Sequence, residues 1–389
     1  MRHGAFQRVL WMIFGCLLAG VAPLGAQQFL PPASYPVGKT PTSVAVGNFN
    51  HDGKPDLAVA DSQSGAVGIL LGKGGGVFGS PTKYQAGNTP VWVAAADLNG
   101  DGNLDLAVAD SVTGGVSVLL GEGTGAFQPP VFYRTGGCPN SAATGDLNGD
   151  HKVDLVVSNS CSSTVSVLLG RGNGTFGRAA DYSTGSGSEP GSVVLGDLNG
   201  DGKPDVVTAN FQDDVVSVLL GSGDGTLQPH VDYPTGTFPT SVALGDFNRD
   251  GILDLAVNSS TSYGPGGLSV MLGNGDGTFQ PAVDYTTQVY PFAVQAGDFN
   301  RDGKLDLAVV SFEESTVDLF LGNGDGTFQS YVPYATGEGP VQLAVADLNG
   351  DHAPDIVTVN VVNTVSVLLN TGKKSGGAEE TSSPLQPHD

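Results

Sequence analysis

Acidic and amide side chains recur at fixed steps in the stretch GDFNRDGKLDLAVV, which spans residues 297–310. Asp298, Asn300, Asp302 and Asp306 follow one another at steps of two, two and four residues, directly before a strand-like apolar segment. Three carboxylates held this close together repel one another, and a bound cation would remove that repulsion. The spacing therefore predicts a cation site in the turn that precedes the strand.

The pattern D-x-N-x-D-G-x-x-D supplies side-chain oxygens at positions one, three, five and nine, and the carbonyl at position seven points the same way. Glycine at position six permits a sharp turn with positive φ. These hard oxygen donors favour Ca²⁺ over Mg²⁺, which demands stricter octahedral geometry. Zinc is disfavoured because no cluster of His or Cys accompanies the acids in the sequence.

This acidic loop occurs seven times, and its first positions are 49 to 52 residues apart. The competing interpretation is that Asp, Asn and Gly simply make good turns, but seven copies in register favour metal sites. We number the copies acidic loops 1 to 7 in chain order. Their candidate metal ligands are Asn48, Asn50, Asp52, Asp56, Asp97, Asn99, Asp101, Asp105, Asp146, Asn148, Asp150, Asp154, Asp197, Asn199, Asp201, Asp205, Asp246, Asn248, Asp250, Asp254, Asp298, Asn300, Asp302, Asp306, Asp347, Asn349, Asp351 and Asp355.

The seven copies are unequal as cation sites. Asn48 replaces the first Asp, which removes one charge from acidic loop 1. His151 and His352 replace the glycine at position six, where a side chain with positive φ is strained, and we interpret them as turn residues rather than ligands. We therefore expect up to seven Ca²⁺ ions, with weaker binding at the loops that start at Asn48, Asp146 and Asp347.

The charge of the chain limits its partners. The 389 residues include 39 Asp plus Glu and 16 Lys plus Arg, for a net charge of −23. Such a field repels phosphate, which argues against nucleic acid or an anionic membrane as a partner.

The N-terminus is typical of an export signal. A basic start, an apolar run over residues 9–22 and the segment PLGA predict cleavage after Ala26. No later segment is apolar enough to span a bilayer. We therefore expect a secreted protein, either extracellular or periplasmic, with no membrane span once the signal is removed.

Two cysteines, Cys138 and Cys161, remain after signal removal. An even number of cysteines in an exported protein allows one disulfide, and two unpaired thiols are the alternative. Both residues fall in loops of one repeat, so a disulfide would brace the face on which those loops lie.

Other landmarks keep the period of the acidic loops. Each loop has a Pro seven residues upstream and is followed by a run such as DLAVA, then VSVLLG or a variant, then a glycine-rich turn such as GNGDGTF. Each unit therefore holds four short strands, and no segment after the signal shows helical spacing. Four-stranded units that repeat at about 50 residues are typical of propeller blades. The predicted fold is all-β, a seven-bladed β-propeller of four-stranded antiparallel blades.

The last blade lacks its outer strand. An aromatic residue or Leu followed six residues later by Tyr marks the outer strand of six units, but no copy follows the seventh. The missing copy lies near the N-terminus, from Phe29 to Tyr35. We predict that the N-terminal strand completes the last blade. The predicted domains are a signal peptide over residues 1–26, the propeller over residues 27–370 and a disordered tail over residues 371–389.

The segments GDFNRDGKLDLAV and GNGDGTF resemble FG-GAP repeats, also described as VCBS-type repeats, which form the blades of the integrin α-chain head and occur in many exported bacterial proteins. The resemblance covers residues 29–370. It implies a seven-bladed propeller with calcium in the loops between first and second strands, on the lower face of the ring. It does not imply one function, because members of the family bind proteins, bind sugars or act as scaffolds.

The loops that join blades, and those between second and third strands, share the upper face in this topology. Their residues vary most between copies, as those of a ligand surface would, although unconstrained loops would vary too. A mixture of aromatic and acidic side chains suits sugars or basic protein segments. The aromatic residues of this face are Trp92, Phe211, Phe238, Tyr263, Tyr290, Phe292 and Phe312.

The sequence contains no motif of a known catalytic or cofactor site, such as G-x-S-x-G, H-E-x-x-H or a P-loop. The leading hypothesis is a monomeric, calcium-binding recognition module whose upper face binds a protein in adhesion or surface interaction. A carbohydrate-binding lectin is the first alternative. A sugar-directed lyase or hydratase is the second, because propeller enzymes can assemble a site from distant loops.

Overall fold

The computed structural model describes residues 28–261 and 264–372, which form strands and turns without a helix. The predicted signal peptide lies outside the described residues, as does the predicted tail apart from Thr371 and Gly372. In the described part of the chain, nothing forms a helix of the length and hydrophobicity that a membrane span requires.

Thirty strands alternate with turns along the described chain. In chain order they are β1 (Ala33–Pro36), β2 (Pro41–Gly47), β3 (Asp56–Asp61), β4 (Ala66–Leu70), β5 (Gly72–Gly74), β6 (Val77–Phe78), β7 (Thr82–Gln85), β8 (Pro90–Ala96), β9 (Asp105–Asp110), β10 (Gly115–Leu119), β11 (Val131–Arg134), β12 (Pro139–Gly145), β13 (Asp154–Asn159), β14 (Thr164–Leu168), β15 (Ala180–Ser183), β16 (Pro190–Gly196), β17 (Asp205–Asn210), β18 (Val215–Leu219), β19 (Val231–Pro234), β20 (Pro239–Gly245), β21 (Asp254–Ser259), β22 (Pro265–Met271), β23 (Val283–Val289), β24 (Pro291–Gly297), β25 (Asp306–Ser311), β26 (Thr316–Phe320), β27 (Val332–Ala335), β28 (Pro340–Ala346), β29 (Asp355–Asn360) and β30 (Thr364–Leu368).

The strands assemble into seven antiparallel sheets of four, which confirms the predicted seven-bladed propeller. Blade 1 is β2-β3-β4-β7, with a separate ribbon of β5 and β6 at its outer turn. Blades 2 to 6 each consist of four consecutive strands, from β8–β11 to β24–β27. Blade 7 consists of β28, β29 and β30 with β1 at its outer edge. Each acidic loop joins the first and second strands of its blade.

The core lies between neighbouring blades. All six residues of every second strand are buried, because this strand is covered on both faces by adjacent sheets. One cluster, for example, joins Ala58 and Ile69 of blade 1 to Val93 and Val108 of blade 2. At about 25 cal/mol per Å² of buried apolar surface, these contacts between blades are the main stabilisation of the ring.

The N-terminal strand closes the ring, as predicted. Strand β1 pairs with β30 in antiparallel register, with Ala33 opposite Val367 and Tyr35 opposite Val365. Upstream of β1, Phe29 forms a β-bridge with Asn370. We refer to residues 28–36 as the N-terminal clasp.

The outer strands are shorter than predicted. The sequence suggested a continuous strand from Phe328 to Tyr334, whereas β27 begins at Val332 and Phe328 forms only an isolated bridge with Gly322. The Phe side chain instead packs edge-on against the Tyr of the preceding blade, as in the Tyr285–Phe328 contact with ring centroids 5.9 Å apart. The aromatic residue of this motif therefore links its blade to the preceding one in every blade except blade 4, where Leu227 replaces it.

Candidate metal loops and ligand-binding face

The polar side chains of each acidic loop fold back onto the loop backbone. In acidic loop 2, Asp97 accepts hydrogen bonds from the N–H groups of Gly100 through Oδ1 (2.7 Å) and Gly102 through Oδ2 (2.9 Å). Oδ1 of Asn99 accepts from the N–H of Asp101 at 2.8 Å. Oδ1 of Asp101 accepts from Asn103 at 2.8 Å. These bonds hold positions one, three and five of the loop in a compact turn before any ion binds.

The Asp at position nine has a structural role that the sequence did not reveal. Asp105 is fully buried, and its Oδ2 accepts a hydrogen bond from the N–H of Leu98 (2.9 Å) while Oδ1 accepts from Gly121 (2.7 Å). Burial raises the pKa of this carboxyl to about 6, and the charges of Asp101 and Asp97 add to the shift. The residue therefore ties the acidic loop to the outer turn of its own blade.

This double hydrogen bond occurs in all seven blades. The position-nine carboxylates each accept one N–H from position two of the loop and a second from the residue two positions after the end of the third strand. Burial is the main cause of a raised pKa at each of them. The residues are Asp56, Asp105, Asp154, Asp205, Asp254, Asp306 and Asp355.

The donor set of the loops fits a hard cation. Within residues 28–261 and 264–372, no group of three or more Asp, Glu, His or Cys side chains converges as a metal site would require. A site here would have to combine carboxylates with amide and backbone oxygens, which are all ligands that Ca²⁺ accepts. In acidic loop 1, Oδ1 of Asn48 is buried without a hydrogen-bond partner. An uncompensated oxygen of this kind is what a bound cation would satisfy.

Positions four and six of every acidic loop have positive φ. Position six was predicted to do so, and even His151 (φ 61°) and His352 (φ 64°) adopt this conformation. Position four was not predicted, because His51 (φ 56°), Arg249 (φ 65°) and Arg301 (φ 58°) occupy it in three loops. Non-glycine residues seldom adopt this conformation, so the hydrogen bonds of the loop must offset the strain.

Replacing Asp105 in the absence of metal ions measures its structural role alone. With EDTA present, we expect Asp105→Ala to lower the free energy of unfolding by about 2 kcal/mol, because two buried N–H groups lose their acceptor. Asp105→Asn should lose less, since the amide oxygen still accepts one bond. Urea unfolding measures both values. The control Asp101→Ala removes an exposed carboxylate and should cost less than about 1 kcal/mol; equal losses in all three variants would contradict the assignment.

The upper face combines two sets of loops in each blade. Backbone hydrogen bonds join the turn between second and third strands to the loop that enters the same blade, as from the N–H of Ser62 to the carbonyl of Thr40 (3.0 Å). A disulfide joins Cys138 to Cys161 between the two upper loops of blade 3. These links make the upper face a continuous ring of paired loops.

Aromatic side chains form two contacts on the upper face of blades 4 to 6. Phe211 stacks on Phe238, with ring centroids 5.0 Å apart and planes at 30°. Phe292 contacts Phe312 at 5.4 Å. Trp92 packs against the core between blades 2 and 3, and Phe292 packs in the same way against the core between blades 6 and 7. Tyr263 lies outside the described residues. All four of these Phe residues are half-buried, so part of each side chain remains accessible.

The acidic residues of the upper loops lie on the same side of the face, whereas the two acids at the upper strand ends of blades 1 and 2, Asp61 and Asp110, are fully buried. The loops of blades 1 to 3 carry no acid and one cation, Lys39, whereas those from residue 184 onward carry six acids and no Lys or Arg. Five of the six acids are exposed. The two aromatic contacts and these acids define what we name the acidic sector. It comprises Phe211, Phe238, Phe292, Phe312, Glu189, Asp213, Asp214, Glu313, Glu314 and Glu338.

Asp61, at the upper end of β3, is a buried carboxylate whose oxygens accept no hydrogen bond of regular geometry from the described residues, although the backbone N–H of Gly38 interacts with them. Gly38 lies against it, and Gly68 stands in the third strand where most blades have a Ser. Burial raises the pKa of Asp61 to about 6, and the charge of Lys83 offsets part of the shift. Asn occupies the equivalent position in blades 3, 4 and 7.

We expect Asp61→Asn to stabilise the protein at neutral pH. The carboxyl pKa is higher in the folded than in the unfolded state, so stability falls as pH rises from about 4 to 6 and stays low above that range. The substitution should remove this penalty, which is at most about 3 kcal/mol. Urea unfolding of parent and variant between pH 4 and 8 measures the difference. A difference that does not grow between pH 4 and 6 would contradict this explanation, and the exposed Asp213→Asn serves as control.

Comparisons with known proteins agree with the architecture. The family model described as FG-GAP-like repeat matches residues 48–108, 97–157, 146–208, 197–257, 259–309 and 298–358. A search of curated protein sequences finds no match. The matched residues cover most of the propeller, including parts of all seven acidic loops.

Three solved structures share the fold at low sequence identity. A lectin of Agrocybe aegerita that recognises non-reducing terminal N-acetylglucosamine has a TM-score of 0.56 and 20% identity over 76% of this chain and 80% of its own. BBS1N in complex with ARL6DN has a TM-score of 0.61 and 14% identity over 88% of this chain and 97% of its own. A catalytically inactive virginiamycin B lyase of Staphylococcus aureus, solved with quinupristin, has a TM-score of 0.58 and 10% identity over 87% of this chain and 98% of its own. At these identities the likeness concerns the fold alone.

Proposed function

Because the chain belongs to the FG-GAP-like repeat family, we propose that it is an exported, calcium-stabilised recognition module that binds a protein ligand through the acidic sector of its upper face. The observation that carries this proposal is the asymmetry of that face. Six acids and two aromatic contacts occupy the loops of blades 4 to 7, while the loops of blades 1 to 3 are nearly uncharged.

Parts of the acidic sector are held in place by hydrogen bonds. Oδ1 of Asp214 accepts from the N–H of Phe238 at 2.8 Å, and Oε2 of Glu314 accepts from the N–H of Val289 at 3.2 Å. The exposed Asp213 and Glu313 stand beside these anchored acids. Fixed acids next to partly accessible aromatic side chains favour a ligand that presents Lys or Arg, through charge attraction and cation–π contact.

Calcium would serve the proposed module as a structural ion rather than as part of the ligand site. The acidic loops join first to second strands, at the end of each blade opposite the acidic sector. Their residues at positions one, three, five and nine would hold the ion, and its charge would offset the repulsion among the carboxylates of one loop. The pre-folded upper loops would then present the ligand surface on a rigid ring.

Selection from a random peptide library displayed on phage tests the proposal directly. With mature, calcium-loaded protein as bait, we expect enriched peptides to contain Lys or Arg together with aromatic or aliphatic residues. Their binding should weaken at least tenfold in the variant Asp213→Asn/Glu313→Gln. Peptides without basic residues, or unchanged binding by this variant, would refute the assignment to the acidic sector.

A matched control keeps the total charge equal. Gln63→Lys/Val112→Lys alters the exposed equivalent turns of blades 1 and 2 and shifts the net charge by the same amount. This variant should bind the selected peptides within about twofold of the parent, because its substitutions lie outside the acidic sector.

A lectin is the second candidate, and the fold it shares with the Agrocybe aegerita lectin motivates it. A glycan array with the same calcium-loaded protein distinguishes the two. Specific glycan binding that persists in Asp213→Asn/Glu313→Gln, with no enrichment of basic peptides, would favour the lectin.

A further inference from the structure

The second strand of blade 3 ends in a buried carboxamide that organises its neighbours. Nδ2 of Asn159 donates to Oγ of Ser166 at 2.9 Å and to Oγ1 of Thr164 at 3.3 Å. It also lies 3.4 Å from the carbonyl of Thr164. Oγ of Ser166 donates in turn to Asp181 at 2.5 Å. A chain of hydrogen bonds thus runs from the amide through a hydroxyl to a carboxylate on the outer strand.

The same position holds a carboxamide in two other blades. In blade 4, Asn210 donates to Ser217 at 2.6 Å, and Ser217 donates to Asp232 at 2.6 Å. In blade 7, Asn360 donates to Ser366 at 2.9 Å. The Asn side chain therefore fills one recurrent space between the upper loops and the third strand.

Blade 5 retains the hydroxyl and the carboxylate but lacks the carboxamide. Ser269 donates to Asp284 at 2.6 Å, as Ser166 donates to Asp181 in blade 3. Ser259 occupies the place of Asn159, and Gly267 occupies that of Thr164 in the strand register. Two side chains are thus truncated side by side.

A cavity of about 270 Å³ lies beside these truncations. Ser259, Gly267 and Ser269 line it from within, and the exposed Thr237, Asp284 and Thr286 line its mouth. Ser259 is 1% exposed, and its Oγ has no hydrogen-bond partner. We name this space the blade-5 pocket.

The hydrogen bonds around the blade-5 pocket determine which donor and acceptor groups a ligand must present. An ionised carboxylate only accepts, so Ser269 gives its single proton to Asp284 and presents only lone pairs to the pocket. Ser259 can donate or accept, because its hydroxyl is unpaired. A complementary ligand therefore offers an N–H or O–H to Ser269 and a second polar atom to Ser259.

We propose that the blade-5 pocket receives the primary carboxamide of an Asn or Gln side chain presented by a protein ligand. The pocket lies where an Asn side chain stands in three other blades, with the same hydroxyl acceptor in each and the same carboxylate behind it in blades 3 and 4. This inference rests on the proposed function in one respect only, that the ligand is a protein.

A primary amide suits the pocket better than the acetamido group of a sugar. In blade 3 one nitrogen reaches the hydroxyl of Ser166 as well as the hydroxyl and carbonyl oxygens of Thr164, which requires two N–H groups. Gly267 keeps a backbone carbonyl at the register position of Thr164. A secondary amide has only one N–H and would leave one of the two acceptors in the pocket unpaired.

The pocket adjoins the acidic sector along the chain. Thr237 lines its mouth, and the next residue, Phe238, stacks on Phe211. A peptide that contacts this aromatic pair could therefore place an amide side chain in the pocket.

Saturation-transfer NMR with small amides tests the pocket without knowledge of the natural ligand. We expect the mature protein to transfer saturation to acetamide at millimolar concentration, and about threefold less to N-methylacetamide, because one hydrogen bond is lost. Sodium acetate should receive none, since Asp284 repels a carboxylate. N-acetylglucosamine should bind more weakly than acetamide; the reverse order would overturn the proposal in favour of a sugar site.

Two variants assign the acetamide signal to the blade-5 pocket. Ser259→Asn places a carboxamide of the protein itself in the pocket and should abolish saturation transfer to acetamide. The melting temperature of this variant should stay at or above that of the parent. If this variant does not fold, Ser269→Ala removes the acceptor and should weaken acetamide binding at least threefold. An unchanged signal in the folded variant, or water alone in the pocket of crystals soaked in acetamide, would overturn the proposal.

The reciprocal variant provides a matched control. Asn159→Ser/Thr164→Gly gives blade 3 the residues of blade 5, and we expect it to bind a second acetamide. If the parent protein selects basic peptides but does not bind acetamide, the blade-5 pocket is refuted and the proposed function stands. If it binds acetamide but selects no basic peptides, the proposed function is refuted and the pocket stands.

Discussion

Removal of Ca²⁺ with EDTA is expected to lower the melting temperature of the mature protein by more than about 10 °C. An ion that binds only the folded state at 100 times its dissociation constant stabilises by about 2.7 kcal/mol per site, and up to seven sites contribute. For a domain of more than 200 residues, each kcal/mol corresponds to roughly 2–4 °C. Differential scanning fluorimetry in millimolar CaCl₂ and in EDTA measures the shift.

A charge-matched pair of variants links this effect to the acidic loops. Asp298→Asn removes a carboxylate from position one of acidic loop 6 and should reduce the calcium-dependent part of the shift. Asp276→Asn removes an exposed carboxylate from an outer turn that is not an acidic loop and should leave the shift unchanged. Magnesium at equal concentration should restore less stability than calcium, because it needs stricter octahedral geometry. An identical melting temperature with and without EDTA would eliminate structural calcium.

The blade architecture could be predicted because the pattern of the sequence is repeated seven times. A turn signal such as Asp-Gly is weak when it occurs once, but its recurrence in register with apolar runs identifies one unit of structure. Closure by the clasp followed from one missing outer-strand motif, and the structure pairs Tyr35 with Val365 as required. Both inferences rest on comparing the copies within one chain: their similarity predicts the blades, and their one missing motif predicts the closure.

The features that escaped prediction depend on contacts between segments distant in sequence. Nothing local in acidic loop 2 indicates that Asp105 accepts a hydrogen bond from Gly121, which lies sixteen residues further along the chain. Positive φ at Arg249 is likewise imposed by the fold of the loop, since Arg alone favours negative φ. The blade-5 pocket arises from two truncations whose side chains meet only when β21 and β22 pair.

The acidic sector could be predicted only in part from the sequence. The sequence placed aromatic and acidic residues on the upper loops, but it did not show that Phe211 and Phe238 stack or that Trp92 packs into the core. Whether an aromatic residue faces solvent or a neighbouring blade depends on its position relative to the next sheet. Only the folded ring shows that Phe292 belongs to both groups, because it contacts Phe312 and also packs against the core between blades 6 and 7.

The clasp closes the ring at a point where the regular contact between blades is missing. Elsewhere, a glycine N–H of the outer turn donates to the acidic loop of the preceding blade, as Gly326 donates to the carbonyl of Phe247 at 3.0 Å. Blade 7 has no such turn, and the side-chain amides of Gln28 and Asn370 donate to the carbonyl of Phe299 instead. The fully buried ring of Phe29 packs edge-on against Phe299.

Phe29→Ala is therefore expected to lower the free energy of unfolding by about 3–5 kcal/mol, the range for a large cavity in a packed core. The ring of Phe29 also contacts Tyr334 at 5.0 Å, so the substitution removes the aromatic link between blades 6 and 7. Urea unfolding in calcium measures the loss. The neighbouring Leu30→Ala is a matched control, because Leu30 is 50% exposed and should contribute less than about 0.5 kcal/mol.

Hydrogen exchange distinguishes opening of the clasp from uniform weakening of the ring. If Phe29 anchors the clasp, its loss should increase exchange first at the amides of β30, which pair with β1, and leave those of β13 in blade 3 protected. Opening of this kind exposes the edge of β30, which can then pair with another chain. Equal increases in both strands would show that the ring unfolds as one unit, and that closure by the clasp stabilises every blade alike.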